Sequence, residues 1–390
     1  MPSNHGSYRW IVLTVYVLAG IASQLIWITY APILSKSAEF YHVSENEISL
    51  FAAVFPIVYL VTSIPTGYYI DRYGFRKALL TGMIFLGTFA LLRSLTASFT
   101  LALVFQVIAG IGQPFVMNSI SKLVRSWFPE EEAALATGLG TLSLMLGIII
   151  ALSLTPVLSG RIGLATTLKA YGIYSITVLV LVFLLVREPE HKHVMTERTG
   201  FGFNELKTVM KNRNIQVLSI LFLLGVGSYT AFTTWVEPLV ESTGVPSVKA
   251  GLTGSFLTIG GILGSIIIPF IADKTGSRKK PMIYALALST LIWVAPYFAH
   301  GAMAVSTILF LAGFFFLSLA PLSLDLSAIS VGIDYSGAAN SVLWEFSQIG
   351  SIILIWLFEV VGETSGWIRV YPVIGFVVLA MLLLSFTLEE

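Results

Sequence analysis

The chain has 390 residues, 56% of them hydrophobic and 11% charged, with a mean hydropathy of +0.87. Soluble domains carry about 25% charged residues, so this composition excludes an ordinary soluble fold. A formal net charge of +1 gives nucleic acid no footing as a partner, and the absence of cysteine rules out a disulfide framework or a zinc ribbon.

A spanning helix needs about 20 mainly apolar residues. Twelve segments qualify, at about 8–34, 48–70, 77–96, 98–124, 133–157, 167–187, 214–239, 247–272, 280–299, 302–330, 337–361 and 367–387. MPSNHGSYRW enters the first without a small-residue cleavage site, so that span is read as a retained helix. The longest polar stretch lies between the sixth and seventh spans. The expected architecture is an all-α polytopic membrane protein, with six-helix bundles at 1–187 and 214–390 joined by a cytoplasmic loop at 188–213. With the N-terminus inside, only Lys36, Arg93, Arg161, Lys169, Lys249 and Arg369 fall on the outer side, and the other sixteen of the 22 Lys and Arg residues lie inside. That bias predicts both termini in the cytoplasm, and a multi-pass protein of the plasma (cytoplasmic) membrane.

Spans 2 and 3 are joined by GYYIDRYGFRK, spans 8 and 9 by PFIADKTGSRKK. Asp71, Arg72, Gly74, Arg76 and Lys77 align with Asp273, Lys274, Gly276, Arg278 and Lys279 at an offset of 202 residues. Repeats at half-chain spacing mark transporters built from two related halves. The glycine permits a tight turn, and the acid at the helix end suits a cytoplasmic latch. With Gly67, the first copy reads G-x-x-x-D-R-x-G-x-R-K and resembles the loop motif of the major facilitator superfamily. That resemblance implies two pseudo-symmetric bundles, a central cavity open alternately to each side, and a cavity lining supplied mainly by spans 1, 4, 7 and 10. Two departures stand against a standard drug/proton antiporter. Span 4 reads QVIAGIG, with Gln106 where many proton-linked members carry arginine, and span 5 lacks a Gly-Pro pair.

No Lys or Arg falls in the middle of a span. A basic residue there costs about 2.5–3.5 kcal/mol, a cost that anion transporters commonly accept, so the substrate is expected to be cationic, zwitterionic or neutral. The histidines lie in tails, loops or span ends, which leaves no proton-relay chain and no haem ligand at mid-membrane. Glu345 and Asp325 are candidates for a proton site, a gate or a structural pair between adjacent helices. Glu237, before Pro238, is expected at a gate or in solvent.

In the segment SQLIWITYAPIL, Trp27 lies some seven residues from the end of its span, deep for an interfacial belt residue. At the 202 offset Trp27 corresponds to Tyr229, and Tyr30 to Phe232. Gln106, Gly110, Gln113 and Met117 share a face of span 4, and Trp344, Gln348 and Ser351 one of span 11. Two aromatics and two amides can hold a small organic cation, the ring faces attracting its charge. Single aromatics in membrane helices are otherwise packing or lipid-facing. IWITYAPI, GQPFVMNSISKLVRSWFP and EFSQIGSI are similar to segments of the feline leukaemia virus subgroup C receptor family, associated with choline, ethanolamine and haem transport. The resemblance implies a cation pocket of Trp27, Gln113, Tyr229 and Gln348, with Tyr229 resting mainly on the repeat offset.

The resulting expectation is a transporter, not an enzyme, for an organic cation such as choline. Trp27, Tyr229, Gln113 and Gln348 would bind the substrate, with Trp344 and Phe232 beside them and Tyr30 at the rim. The loop-motif residues would form the latch. Its partners would be the small-molecule substrate and the lipid bilayer, acting as a monomer, with no cofactor and no metal. The alternatives are a proton-coupled carrier of a neutral metabolite or vitamin, through Glu345 or Asp325, and a ligand-sensing receptor on a transporter scaffold.

Overall fold

The computed structural model describes residues 5–189, 207–332 and 335–389, and all regular structure among them is helical. Most of the predicted connecting loop, with His191 and His193, lies outside the described residues. Contacts divide the chain into two units, Met1–Arg198 and Thr199–Glu390.

Unit 1 contains α1 (His5–Ile28), a 3-10 turn (Ala31–Ile33), α2 (Leu34–Tyr41), α3 (Glu45–Tyr73), α4 (Phe75–Arg93), α5 (Phe99–Trp127), α6 (Glu130–Ile162) and α7 (Leu164–Leu185). Unit 2 contains α8 (Arg213–Thr234), α9 (Val236–Glu241), α10 (Ser247–Thr275), α11 (Lys279–Val294), α12 (Ala302–Phe316), α13 (Leu319–Val331), α14 (Ser336–Ser365) and α15 (Val370–Ser385). The helix starts follow local chemistry. Ser44 and Glu47 form a reciprocal capping box for α3, and Ser98 and Asn212 cap α5 and α8 through their side-chain oxygens.

Eleven helical segments are long and apolar enough to cross a membrane. The predicted ninth span is shorter: α11 has 16 residues and passes into a 3-10 turn at Ala295–Tyr297, where Pro296 interrupts it. Proline also divides three spans read as continuous. α1 stops at Ile28 and α8 at Thr234, each four residues before a proline, Pro32 and Pro238. The pyrrolidine ring clashes with the carbonyl four residues back. The predicted tenth span is likewise two helices, α12 and α13, with Pro321 just beyond the junction.

Within unit 1, α1 packs on α6 and α5, and α4 on α5 and α7; within unit 2, the most extensive pairings are α8 with α14 and α10 with α12. Every crossing helix must satisfy its own backbone in hydrocarbon, so specificity rests on these side-to-side contacts and on a few buried polar groups.

Candidate functional site

Trp27 lies one residue before the end of α1 and is 8% exposed. Its indole N–H donates to the Ala52 carbonyl of α3 at 3.0 Å, which fixes the plane of the ring. One turn earlier, Gln24 meets Met117 Sδ of α5 at 3.8 Å. Gln106, earlier in α5, reaches Ile26, later in α1, so the two helices run antiparallel. One turn on from the Gln24–Met117 contact, Trp27 on α1 and Gln113 on α5 therefore come to the same level. Gln113 is 6% exposed, and its amide has no hydrogen-bond partner among the described residues. An amide with its hydrogen-bonding capacity unspent can serve a bound solute.

Tyr30 was expected at the rim. It is instead buried in the interior of unit 1, stacked on Phe51 with ring centroids 4.2 Å apart, and shares a 3.1 Å hydrogen bond with Tyr41. The reason is the Pro32 break, which turns the chain across the end of α3. Arg93, expected at the outer surface, is 1% exposed and lies 5.1 Å over the Tyr30 ring. It donates to the Ile26 carbonyl, Thr29 Oγ1 and Gln106 Oε1. Arg93 thus closes its span, as read, but turns inward among α1 and α5 instead of outward. Gln106, read on one face with Gln113, is committed to Arg93 and to the carbonyls of Ile26 and Phe51. Sequence reasoning missed Arg93 because it closes a span. The available signal was Gln106, an amide inside span 4 that needs a polar partner.

In unit 2, Tyr229 is buried on α8 and shares a 2.9 Å hydrogen bond with Thr258 of α10. Trp27 and Tyr229 thus both hydrogen-bond to the second long helix of their own unit. Phe232 is fully buried against Trp293, with centroids 5.5 Å apart, and so belongs to the core of unit 2. Trp344 sits edge-on to Phe222 at 5.6 Å, and Gln348, half-buried on α14, makes only a long 3.4 Å contact to Ser347 Oγ. α8 and α14 run parallel, since Phe222 meets Trp344, Gly227 meets Gly350, and Trp235 Nε1 donates to the Ile355 carbonyl. Tyr229 and Gln348 flank the glycine contact by two residues each.

The acids occupy three different settings. Glu237, expected at a gate or in solvent, is 2% exposed, against the solvent reading, and accepts from Ser247 Oγ at 2.5 Å. The break at Trp235 folds α9 against α10, which brings this carboxylate to the first turn of α10, where the helix dipole favours it. Asp325 does not pair with Glu345; its Oδ2 accepts from Arg278 Nε at 2.6 Å, and Arg278 Nη2 also reaches Asp273 Oδ1 at 2.6 Å. Glu345 is half-buried on α14, one turn from Gln348.

The two loop motifs share a turn and differ in their charge pairing. Gly74 and Gly276 both have positive φ, at 89° and 67°, which a side chain would strain. In unit 1, Asp71 lies 4.0 Å from Lys122 Nζ, Lys122 also donates to the Ile70 and Asp71 carbonyls, and the Arg76 backbone N–H reaches Glu188. Arg72 and Lys77 lie over the Tyr73 ring, Lys274 lies over Phe270, and Lys279 donates to the Phe386 and Leu388 carbonyls. Gly67 has open space around it. In unit 2 the hydrogen bond that Asp325 accepts from Arg278, with the charges of Asp325 and Asp273 behind it, holds the Arg278 guanidinium above its ordinary range. The cation on the fourth span of unit 1, Lys122, thus finds an anion, Asp325, as its near-counterpart in unit 2. The Arg278 pairs are partly exposed, and such pairs contribute about 0–1 kcal/mol. Asp325→Asn is expected to leave the thermal midpoint within about 3 °C of the parent. If the triad is a latch, the variant changes the rate of exchange in liposomes by roughly threefold or more without changing substrate affinity.

A family model described as Major Facilitator Superfamily matches residues 12–355. Solute carrier family 49 member A3 of Xenopus tropicalis is 24% identical over 379 residues, covering 90% of this chain and 77% of that protein. The human Choline/ethanolamine transporter FLVCR2 is 23% identical over 371 residues, covering 88% of this chain and 70% of that protein. An uncharacterized protein of Archaeoglobus fulgidus is 45% identical over 192 residues, which is 49% of this chain and 87% of the relative. Among solved structures, a bacterial homolog of the human lysosomal transporter Spinster, in an inward-facing and unoccupied conformation, superposes with a TM-score of 0.74 at 16% identity, covering 99% of this chain and 95% of the other. The fold, the spanning helices and the family match converge on a multi-pass membrane transporter, and the chain belongs to the Major Facilitator Superfamily.

Proposed function

We propose that the chain moves a small organic cation, choline or a related amine, across the membrane by alternating access. Trp27 and Gln113 of unit 1 and Tyr229 and Gln348 of unit 2 are the residues assigned to the substrate, with Trp344 beside Gln348. Tyr30 and Phe232 support them from within their own units. The observation that carries this reading lies in unit 1: an indole ring on α1 locked by the Ala52 carbonyl and, at the same level on α5, a glutamine amide with no hydrogen-bond partner among the described residues. A quaternary or primary ammonium gains from the ring face, and a hydroxyl gains from the amide. The choline/ethanolamine transporters among the relatives support the same substrate class. The proposal includes twelve spans in two six-helix bundles, cytoplasmic termini, a monomer and a plasma-membrane location.

Choline added to the purified protein is expected to raise its thermal midpoint, and labelled choline is expected to exchange across liposomes without a pH gradient. Neither stabilisation nor counterflow in the wild type would sink the reading. Stabilisation without counterflow would select the receptor. A second reading rests on Glu345, a half-buried carboxylate one turn from Gln348 within a crossing helix. Uptake of a neutral metabolite driven by a pH gradient and lost in Glu345→Gln would select it.

A further inference from the structure

Arg93 is buried at the end of α4, yet no carboxylate lies within ion-pair distance of it among the described residues. Burying a guanidinium without an anion is expensive, so what it holds in place is informative. Nη1 donates to the Ile26 carbonyl at 3.0 Å and to Gln106 Oε1, and Nη2 donates to Thr29 Oγ1 at 3.1 Å. Gln106, also fully buried, donates through Nε2 to the Ile26 carbonyl at 3.3 Å and the Phe51 carbonyl at 2.9 Å.

These acceptors bracket Trp27. Ile26 immediately precedes it, and Phe51 immediately precedes Ala52, whose carbonyl takes the indole N–H. Because α1 stops at Ile28, its last carbonyls lack helical partners. A cation and an amide donor at that end satisfy one of them and complement the helix dipole. Among the described residues, unit 2 has no such clamp at the matching place. Position 308, at the 202 offset from Gln106, is Ile308, and Phe232, the counterpart of Tyr30, packs on Trp293 instead. The end of α8 is instead seated by Phe232 on Trp293 and by the Trp235 indole donating to the Ile355 carbonyl at 3.0 Å, so the guanidinium–amide clamp is particular to the unit that holds Trp27.

We infer that Arg93 and Gln106 are positioning residues for Trp27: they tie the last turn of α1 to α3 and set the indole plane before substrate arrives. This rests on the reading of Trp27 as a cation-binding ring. The test uses the full chain labelled with 5-fluorotryptophan. It has eight tryptophans, and the Trp27 fluorine line is assigned by its loss in Trp27→Phe. In Gln106→Leu the Trp27 line is expected to shift or broaden while the Trp344 and Trp367 lines of unit 2 hold their positions. Choline affinity is expected to fall about tenfold, and by less than about twofold when the same change is made on Trp27→Phe, because residues acting through one another are non-additive. Thr29→Val, which removes a single acceptor, is the milder variant should Gln106→Leu fail to fold. A Trp27 line unmoved in the folded variants, or fully additive losses of affinity, overturns the inference. If the wild type binds no choline, the transport reading fails, while the fluorine spectra still decide the positioning role.

Discussion

Trp27→Ala is expected to weaken choline binding by at least about 30-fold, the equivalent of a desolvated cation–π contact of about 2 kcal/mol. The protein should still fold. Trp27 lies at a proline break and touches α3 through one indole hydrogen bond, so its loss leaves the remaining α1 packing on α6 and α5 in place. Trp27→Phe separates two contributions. It keeps a ring face but removes the Ala52 bond, so its loss of affinity should fall between those of the parent and Trp27→Ala. Tyr30→Phe is the control. The Tyr30 ring is held by Phe51 inside unit 1 and, among the described residues, its hydroxyl pairs with Tyr41, so affinity should remain within about twofold of the parent. Binding to the purified variants, with monodispersity as the folding check, decides the matter. Parental affinity in Trp27→Ala would remove Trp27 from the site.

Much of the fold could be read from periodicity and charge, because membrane helices need long apolar runs and the repeated loop keeps its Asp, Gly, Arg and Lys at one offset. The interruptions were harder to see. Pro32, Pro238 and Pro321 each lie within an apolar run, and proline inside a spanning helix is often tolerated, as at Pro56, Pro114 and Pro269. Only tertiary packing distinguishes a bend from a break. This matters for the site, since the loop motifs are 202 residues apart while Pro32 and Pro238 are 206 apart. Tyr229 therefore lies one helical turn further from its break than Trp27 does. Arg93 was missed for a related reason. At a span end a basic residue usually snorkels to water, and nothing in its neighbours LLRSL indicates that α1 ends beside it with free carbonyls. Trp27, proposed for the substrate, drew attention because it is deep for a belt residue and meets another aromatic, Tyr229, at the repeat offset.

The other large effect is expected where α8 and α14 cross. Gly227 and Gly350 meet backbone to backbone, and a Cβ on Gly350 would collide with the Leu223 carbonyl oxygen, with the Leu223 Cα only 2.8 Å away. Those atoms are main chain in a helix and cannot swing aside, so Gly350→Ala must push α8 and α14 apart. Overpacking of this kind costs about 1–3 kcal/mol, against about 1 kcal/mol regained from helix propensity. The upper end applies here, because the obstruction is backbone on a long parallel contact. The thermal midpoint should drop by about 5 °C or more. Choline affinity should fall with it, since Tyr229, two residues after Gly227, and Gln348, two residues before Gly350, stand on either side of the collision and lose their register. Gly225→Ala, half a turn before Gly227 on α8, tests whether the effect belongs to glycine loss or to the collision. Its Cβ would meet only the mobile Cε of Met381 at 3.1 Å, beside an apolar cavity of about 30 Å³ lined by Phe222, Met282 and Leu317 among others. A methyl group there should be neutral or slightly stabilising, within about 0.5 kcal/mol. Equal midpoints for Gly350→Ala and the parent would mean that the two helices are not in contact along these glycines. Equal losses in both alanine variants would mean that α8 tolerates no added bulk anywhere along this stretch, and the register argument for Tyr229 and Gln348 would fall with it.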